Sequence, residues 1–314
     1  MRIHHLNCIS MCPLGGRFMD GRTATLLHRG EITCHCLLVE TGSELVLVDT
    51  GLGLRDVANP RGRLSQFVLS MVSPDLREEM TAFRQVQALG FDPQDVRQIV
   101  LTQLDFAHAG GLDDFPWARV HLLARECEHA FAQRTWLDRQ RFRPEQWSTR
   151  GHWRVYCARE GSDWFGFEHV QALYGVPPEI VLVPLGGPTL GHAGVAIRGE
   201  AGWVLLAGDA YFFHAEMDLE RPHCTLGLRL YQLLLETDRH ARLQSRERLR
   251  ELKRRHGAQV DVFCSHDLRE FERCVDRPAQ IPAEPLALSP SLQCSLLQRP
   301  SLHGGRLQHG REVA

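Results

Sequence analysis

A short apolar run that empties into a polar turn constrains this chain more than any other feature. Ile99, Val100 and Leu101 lead to Thr102, then Gln103, Asp105 and His108 follow, and Gly110 and Gly111 close the loop before Leu112. Such a run reads as a buried strand, and the glycines read as a turn. Side chains alternate along an extended chain, so positions 103 and 105 fall on one side. A loop of this kind points several liganding side chains at one place.

The same device recurs along the chain. Residues 44–49 form a strand-like run that leads into Asp49, Thr50 and Gly51, and with residues 32–41 it makes a hairpin about Thr41, Gly42 and Ser43. Glu179–Pro184 runs into a glycine-rich turn holding Pro188 and His192. A buried strand from Trp203 delivers Asp209 at its end, and a strand from Val260 ends at His266. A carboxylate at the end of a buried strand is costly unless paired with a cation, so Asp209 reads as functional. Between Arg55 and Gly90 the apolar spacing is helical: Leu64, Phe67, Val68 and Met71 recur, Ser73-Pro74 breaks the run, and Leu76 to Leu89 forms a second amphipathic stretch. Strand pair, helices, then buried strand fits an α/β layered domain. No Gly-x-Gly-x-x-Gly follows a strand, which excludes a dinucleotide-binding unit of the Rossmann type.

The 98–112 stretch resembles the metal-binding signature of the metallo-β-lactamase superfamily, Thr-His-x-His-x-Asp-His followed by small residues. Asp49-Thr50-Gly51 is similar to that superfamily's first motif, whose aspartate steadies the metal loop. The resemblance covers roughly residues 30–270 and implies a four-layer αββα sandwich in residues 1–276. It also implies which ligands are missing. Gln103, Asp105 and Pro188 stand where histidines are expected, and Ala107 stands where an aspartate is expected. One metal site is therefore depleted, because an amide oxygen is a poor zinc donor and proline offers none. The other keeps His108, Asp209 and His266, with Asp105 leaning in as a fourth ligand and His192 in reserve.

What this implies is one zinc ion rather than two, with iron as the alternative metal. The expected activity is that of the acyl-homoserine-lactonase-like branch, in which metal-bound hydroxide opens a lactone or ester. Asp209 and Tyr211 are the expected catalytic residues, Tyr211 assisting a substrate carbonyl. The competing reading is a catalytically silent relative that binds a ligand or partner. A mononuclear iron oxygenase is compatible only with the count of two histidines and one carboxylate.

Composition narrows the partners. A net charge of −2 over 314 residues gives no global argument for nucleic acid. The basic run from Arg239 to His256 reads as a solvated helix face with a Glu251–Arg255 pair. No run approaches the ~20 apolar residues of a spanning helix, and no apolar h-region follows Met1–Cys8. The expectation is a cytoplasmic protein with a small-molecule substrate, no nucleic acid and no membrane; oligomeric state carries no sequence signal. The ten cysteines show no repeated spacing and read as reduced thiols, with Cys34 and Cys36 as small core residues. Residues 125–175 are rich in Trp and Phe, which suits either a lid over an apolar pocket or rings packed on the domain. Residues 277–314, rich in Pro, Ser, Leu and Gln without periodicity, read as a disordered tail.

Overall fold

Twelve strands in two six-stranded sheets make up the framework of the computed structural model, which describes residues 1–148, 152–157 and 159–275. The first sheet holds β1 (Arg2–Asn7), β2 (His35–Glu40), β3 (Leu45–Val48), β4 (Val96–Val100), β5 (Arg119–Leu123) and β6 (Trp153–Tyr156), side by side in that order. The second holds β7 (Ser162–Trp164), β8 (Phe167–Ala172), β9 (Ile180–Pro184), β10 (Ala193–Gly199), β11 (Gly202–Leu206) and β12 (Val260–Phe263), again in chain order across the sheet.

Alternation along the strands builds the layers. Leu37 and Val39 of β2 face a core shared with Val195, Ile197 and Leu206 of the second sheet. Their neighbours Cys36 and Leu38 face the other way, toward Val86 and Ala130 on the helices Ala82–Ala88 and Ala124–Ala132. On the far side, Leu205 and Val262 pack against Leu249 and Leu252 of the helix Arg239–His256. Helix, sheet, sheet and helix form the four layers of an αββα sandwich, as expected.

Strand direction positions the site. β3 and β4 run parallel, as do β11 and β12, so the carboxyl ends within each pair share an edge. Asp49 follows β3 and the 102–108 loop follows β4, while Asp209 follows β11 and His266 follows β12. Four chain segments far apart in sequence thus deliver their loops to one end of the sandwich.

Local departures have local causes. The second amphipathic stretch becomes helical only at Ala82, because the Thr81 hydroxyl caps that helix by accepting from the Arg84 amide and residues 78–80 form a 3₁₀ turn. The aromatic residues of 125–175 do not gather over one pocket. Phe142, Trp147 and Trp153 pack on the outer face of the first sheet, Trp164, Phe165 and Phe167 on that of the second, and Trp136 stands exposed. The expected tail, 277–314, lies outside the described residues. Among the described residues no helix is long and apolar enough to cross a membrane.

Candidate metal centre

His108 sits on the short helix Phe106–Ala109, whose first turn is capped by Asp105 accepting from the Phe106 amide. Asp209 follows Gly208, which has φ +57; a Cβ at Gly208 would collide with the His192 ring. His266 follows β12.

His108, Asp209 and His266 are each 4% exposed or less. His266 Nε2 lies 2.9 Å from Asp209 Oδ1, and His108 Nε2 lies 3.3 Å from the same oxygen. One ligand atom from each of the three falls within 4.8 Å of the others. Both imidazoles are oriented from behind. His108 Nδ1 donates to Asp49 Oδ2 at 2.8 Å, and His266 Nδ1 donates to the Thr33 carbonyl at 2.6 Å. With each Nδ1 committed as a donor, both Nε2 atoms aim at one carboxylate oxygen. His108 Nε2 and Asp209 Oδ1 are buried polar atoms without a hydrogen-bond partner among the described residues. Lone pairs converging in a dry pocket repel unless a cation lies between them.

The donor set therefore fits a divalent ion: two imidazoles and a carboxylate are the protein ligands of open catalytic sites. On their own, the histidines and the carboxylate pair with one another electrostatically. Burial opposes the charge on Asp209, yet His108 and His266 outweigh it and hold the carboxyl well below its usual range. Burial likewise opposes an imidazolium at His108, but Asp209 and Asp49 outweigh it and raise its pKa well above normal.

The Metallo-beta-lactamase superfamily model matches residues 29–258 of this chain. The chain belongs to the metallo-β-lactamase superfamily. A probable metallo-hydrolase of Mycobacterium tuberculosis is 37% identical over 267 residues, spanning 85% of this chain and 80% of that protein. An N-acyl homoserine lactonase of a Bacillus species is 26% identical over 252 residues, 80% of this chain and 88% of that one. A solved N-acyl homoserine lactone hydrolase, with the product N-hexanoyl-L-homoserine at its catalytic metal center, superposes with a TM-score of 0.65. That likeness spans 87% of this chain and 95% of the other at 22% identity, and it speaks to the fold.

For a metallo-β-lactamase superfamily chain, the remaining expected ligands lie in unusual company. Asp105 is not part of the three-residue cluster. Its carboxylate takes two N–H groups of Arg141, from Nε at 2.7 Å and Nη2 at 2.5 Å, so it is already paired with a cation. The Gln103 amide donates from Nε2 to Asp209 Oδ2 at 2.6 Å. Ala107 packs into an apolar cluster with Leu52, Leu64, Val68 and Phe106.

Tyr211 points elsewhere, which corrects its expected role. Its ring lies in the outer core of the second sheet and its hydroxyl donates to Glu270, 3.0 Å from either carboxylate oxygen. The reserve ligand His192 is a positioning residue: Nδ1 donates to the Leu185 carbonyl and Nε2 accepts from the Asp209 amide at 2.9 Å. Burial pushes its pKa down to about 4, which keeps that acceptor available.

Three residues beside the centre escaped the sequence reading. Arg141 is buried, though Arg134, Arg139 and Arg143 around it look the same in sequence. Tyr231 is a buried phenol within electrostatic reach of Asp105 and Asp209. Phe212 stacks on His266, with ring centroids 4.9 Å apart and planes at 25°. Only Phe212 carried a signal, as an apolar residue three positions after a strand-end aspartate.

Proposed function

We propose that this protein is a mononuclear metallo-hydrolase that opens a lactone or ester, with His108, Asp209 and His266 holding one divalent ion, zinc before iron. The observation that carries the reading is the convergence of two Nε2 atoms, each on a ring held by an Nδ1 hydrogen bond, on a single oxygen of Asp209. A divalent ion bound there would polarise a carbonyl and lower the pKa of a water molecule toward neutrality.

The chain's own groups do the rest. Asp49 and the Thr33 carbonyl fix the ring orientations, and His192 anchors the backbone of Asp209. Gln103 occupies Asp209 Oδ2 and so leaves Oδ1 to the ion. Phe212 and the apolar cluster of Leu64, Val68 and Phe106 keep water from the buried side. The lactonase names of the relatives support a lactone as the first substrate class to test.

The test joins metal content to turnover. Protein supplied with zinc, then dialysed, is expected to retain about one ion per chain and to hydrolyse acyl lactones. His266→Ala should lose both. Zinc retained without turnover on any lactone or ester would favour the silent reading, in which the pocket binds but does not convert.

A further inference from the structure

We infer that Arg141 is a covalently attached substitute for a second metal ion, and that with Gln103 it limits this centre to a single ion. The inference rests on the reading of His108, Asp209 and His266 as the site of that ion. Positions 103, 105 and 188 are where the superfamily pattern places the ligands of the other ion, and here they hold a neutral amide, a carboxylate already paired with Arg141, and a proline.

Arg141 is 2% exposed, and its guanidinium spans the gap between these loops. Nε and Nη2 grip Asp105 Oδ2, while Nη1 donates to the carbonyl of Pro188 at 3.2 Å and to that of Leu235. Asp105 Oδ1 is taken by the Phe106 amide at 2.7 Å. Gln103 turns its N–H toward Asp209 Oδ2, the carboxylate oxygen that the two histidines leave free. Both oxygens of Asp105, the Pro188 carbonyl and Asp209 Oδ2 therefore meet N–H donors, and the acceptor left over, Gln103 Oε1, is a neutral amide oxygen, a poor zinc donor.

Charge and geometry both exclude a second ion. A guanidinium stays protonated at any working pH, so its charge is permanent and no chelator removes it. Two cations in a buried, low-dielectric space repel strongly, and expelling the guanidinium would leave a buried charge unpaired. The planar fork also ties together the 105 loop, the 188 turn and the end of the helix Leu226–Leu235, the cross-linking that an ion would otherwise perform.

Zinc stoichiometry tests this, read by elemental analysis and native mass spectrometry on the full chain. Wild type is expected to hold one ion in excess zinc. Gln103→His with Pro188→His should still hold one, because Arg141 remains. Adding Arg141→Met to that pair should raise the count to two, with a melting temperature that climbs on the second zinc equivalent. Two ions in the double variant with Arg141 intact would overturn the inference, as would a triple variant that folds and stays at one. If the triple variant does not fold, the double variant decides: one ion supports the inference and two overturn it. Wild type binding none would sink the mononuclear reading instead; an ion gained only on Arg141→Met would then still support the role of Arg141.

Discussion

Asp49 Oδ2 and His108 Nδ1 stand 2.8 Å apart across 59 residues of sequence, and that contact decides which nitrogen of His108 faces Asp209. Asp49 also accepts from the Thr102 amide and hydroxyl, both at 2.8 Å, so one carboxylate ties the end of β3 to the metal loop. It does so from the left-handed region, at φ 55, a conformation that aspartate and asparagine tolerate best among side-chain-bearing residues.

Asp49→Asn keeps that backbone but turns an acceptor into a potential donor toward His108. The imidazole then places its proton on Nε2, and zinc affinity is expected to fall by roughly 10- to 100-fold. Competition with a chromophoric chelator measures it. Unchanged affinity would mean that the His108 tautomer does not depend on Asp49.

Two buried tyrosines give opposite expectations. Tyr211→Phe removes a hydrogen bond to Glu270 in the outer core and should cost about 1 kcal/mol of stability, with lactone kcat/KM within about twofold of wild type. Tyr231→Phe, at a ring whose centroid lies 5.5 Å from that of Phe212, is expected to lower kcat/KM about tenfold with the melting temperature held. The reverse pattern would place the active phenol on the wrong element.

Glu270 imposes a pH dependence on stability. Burial, and next the charge of Asp267, raise its pKa from the usual 4.5 to about 8 in the folded protein. The folded state therefore keeps a proton that the unfolded chain releases, and stability is lost as pH rises from about 4.5 to about 8, then levels. The ceiling is on the order of 5 kcal/mol. Glu270→Gln should flatten this slope when unfolding in urea is compared at pH 5 and pH 8. A slope identical to wild type would assign the dependence to other groups.

Trp147 tests whether the aromatic segment is core or lid. It is fully buried in the outer core of the first sheet. Trp147→Ala should destabilise by roughly 3–5 kcal/mol while zinc stoichiometry stays at wild type. Lost turnover at unaltered stability would restore the lid reading.

Amino-acid order alone determined the layered α/β class and the candidate site positions that follow its strands. Continuous apolar runs specify buried strands, and the polar groups in the turns that follow them stand out locally: Asp49, His108, Asp209 and His266 are all of this kind. Only the tertiary structure decided the company those groups keep. Asp105 reads as a ligand until Arg141, 36 residues away, is found against it. Tyr211 reads as a neighbour of Asp209 until the chain's turn sends its ring to the opposite face of the sheet. An arginine among surface-like arginines has no local mark of burial. Burial and pairing are set by segments distant in sequence, so local pattern supplies the donors, and packing decides which of them converge and which are already paired with a charge.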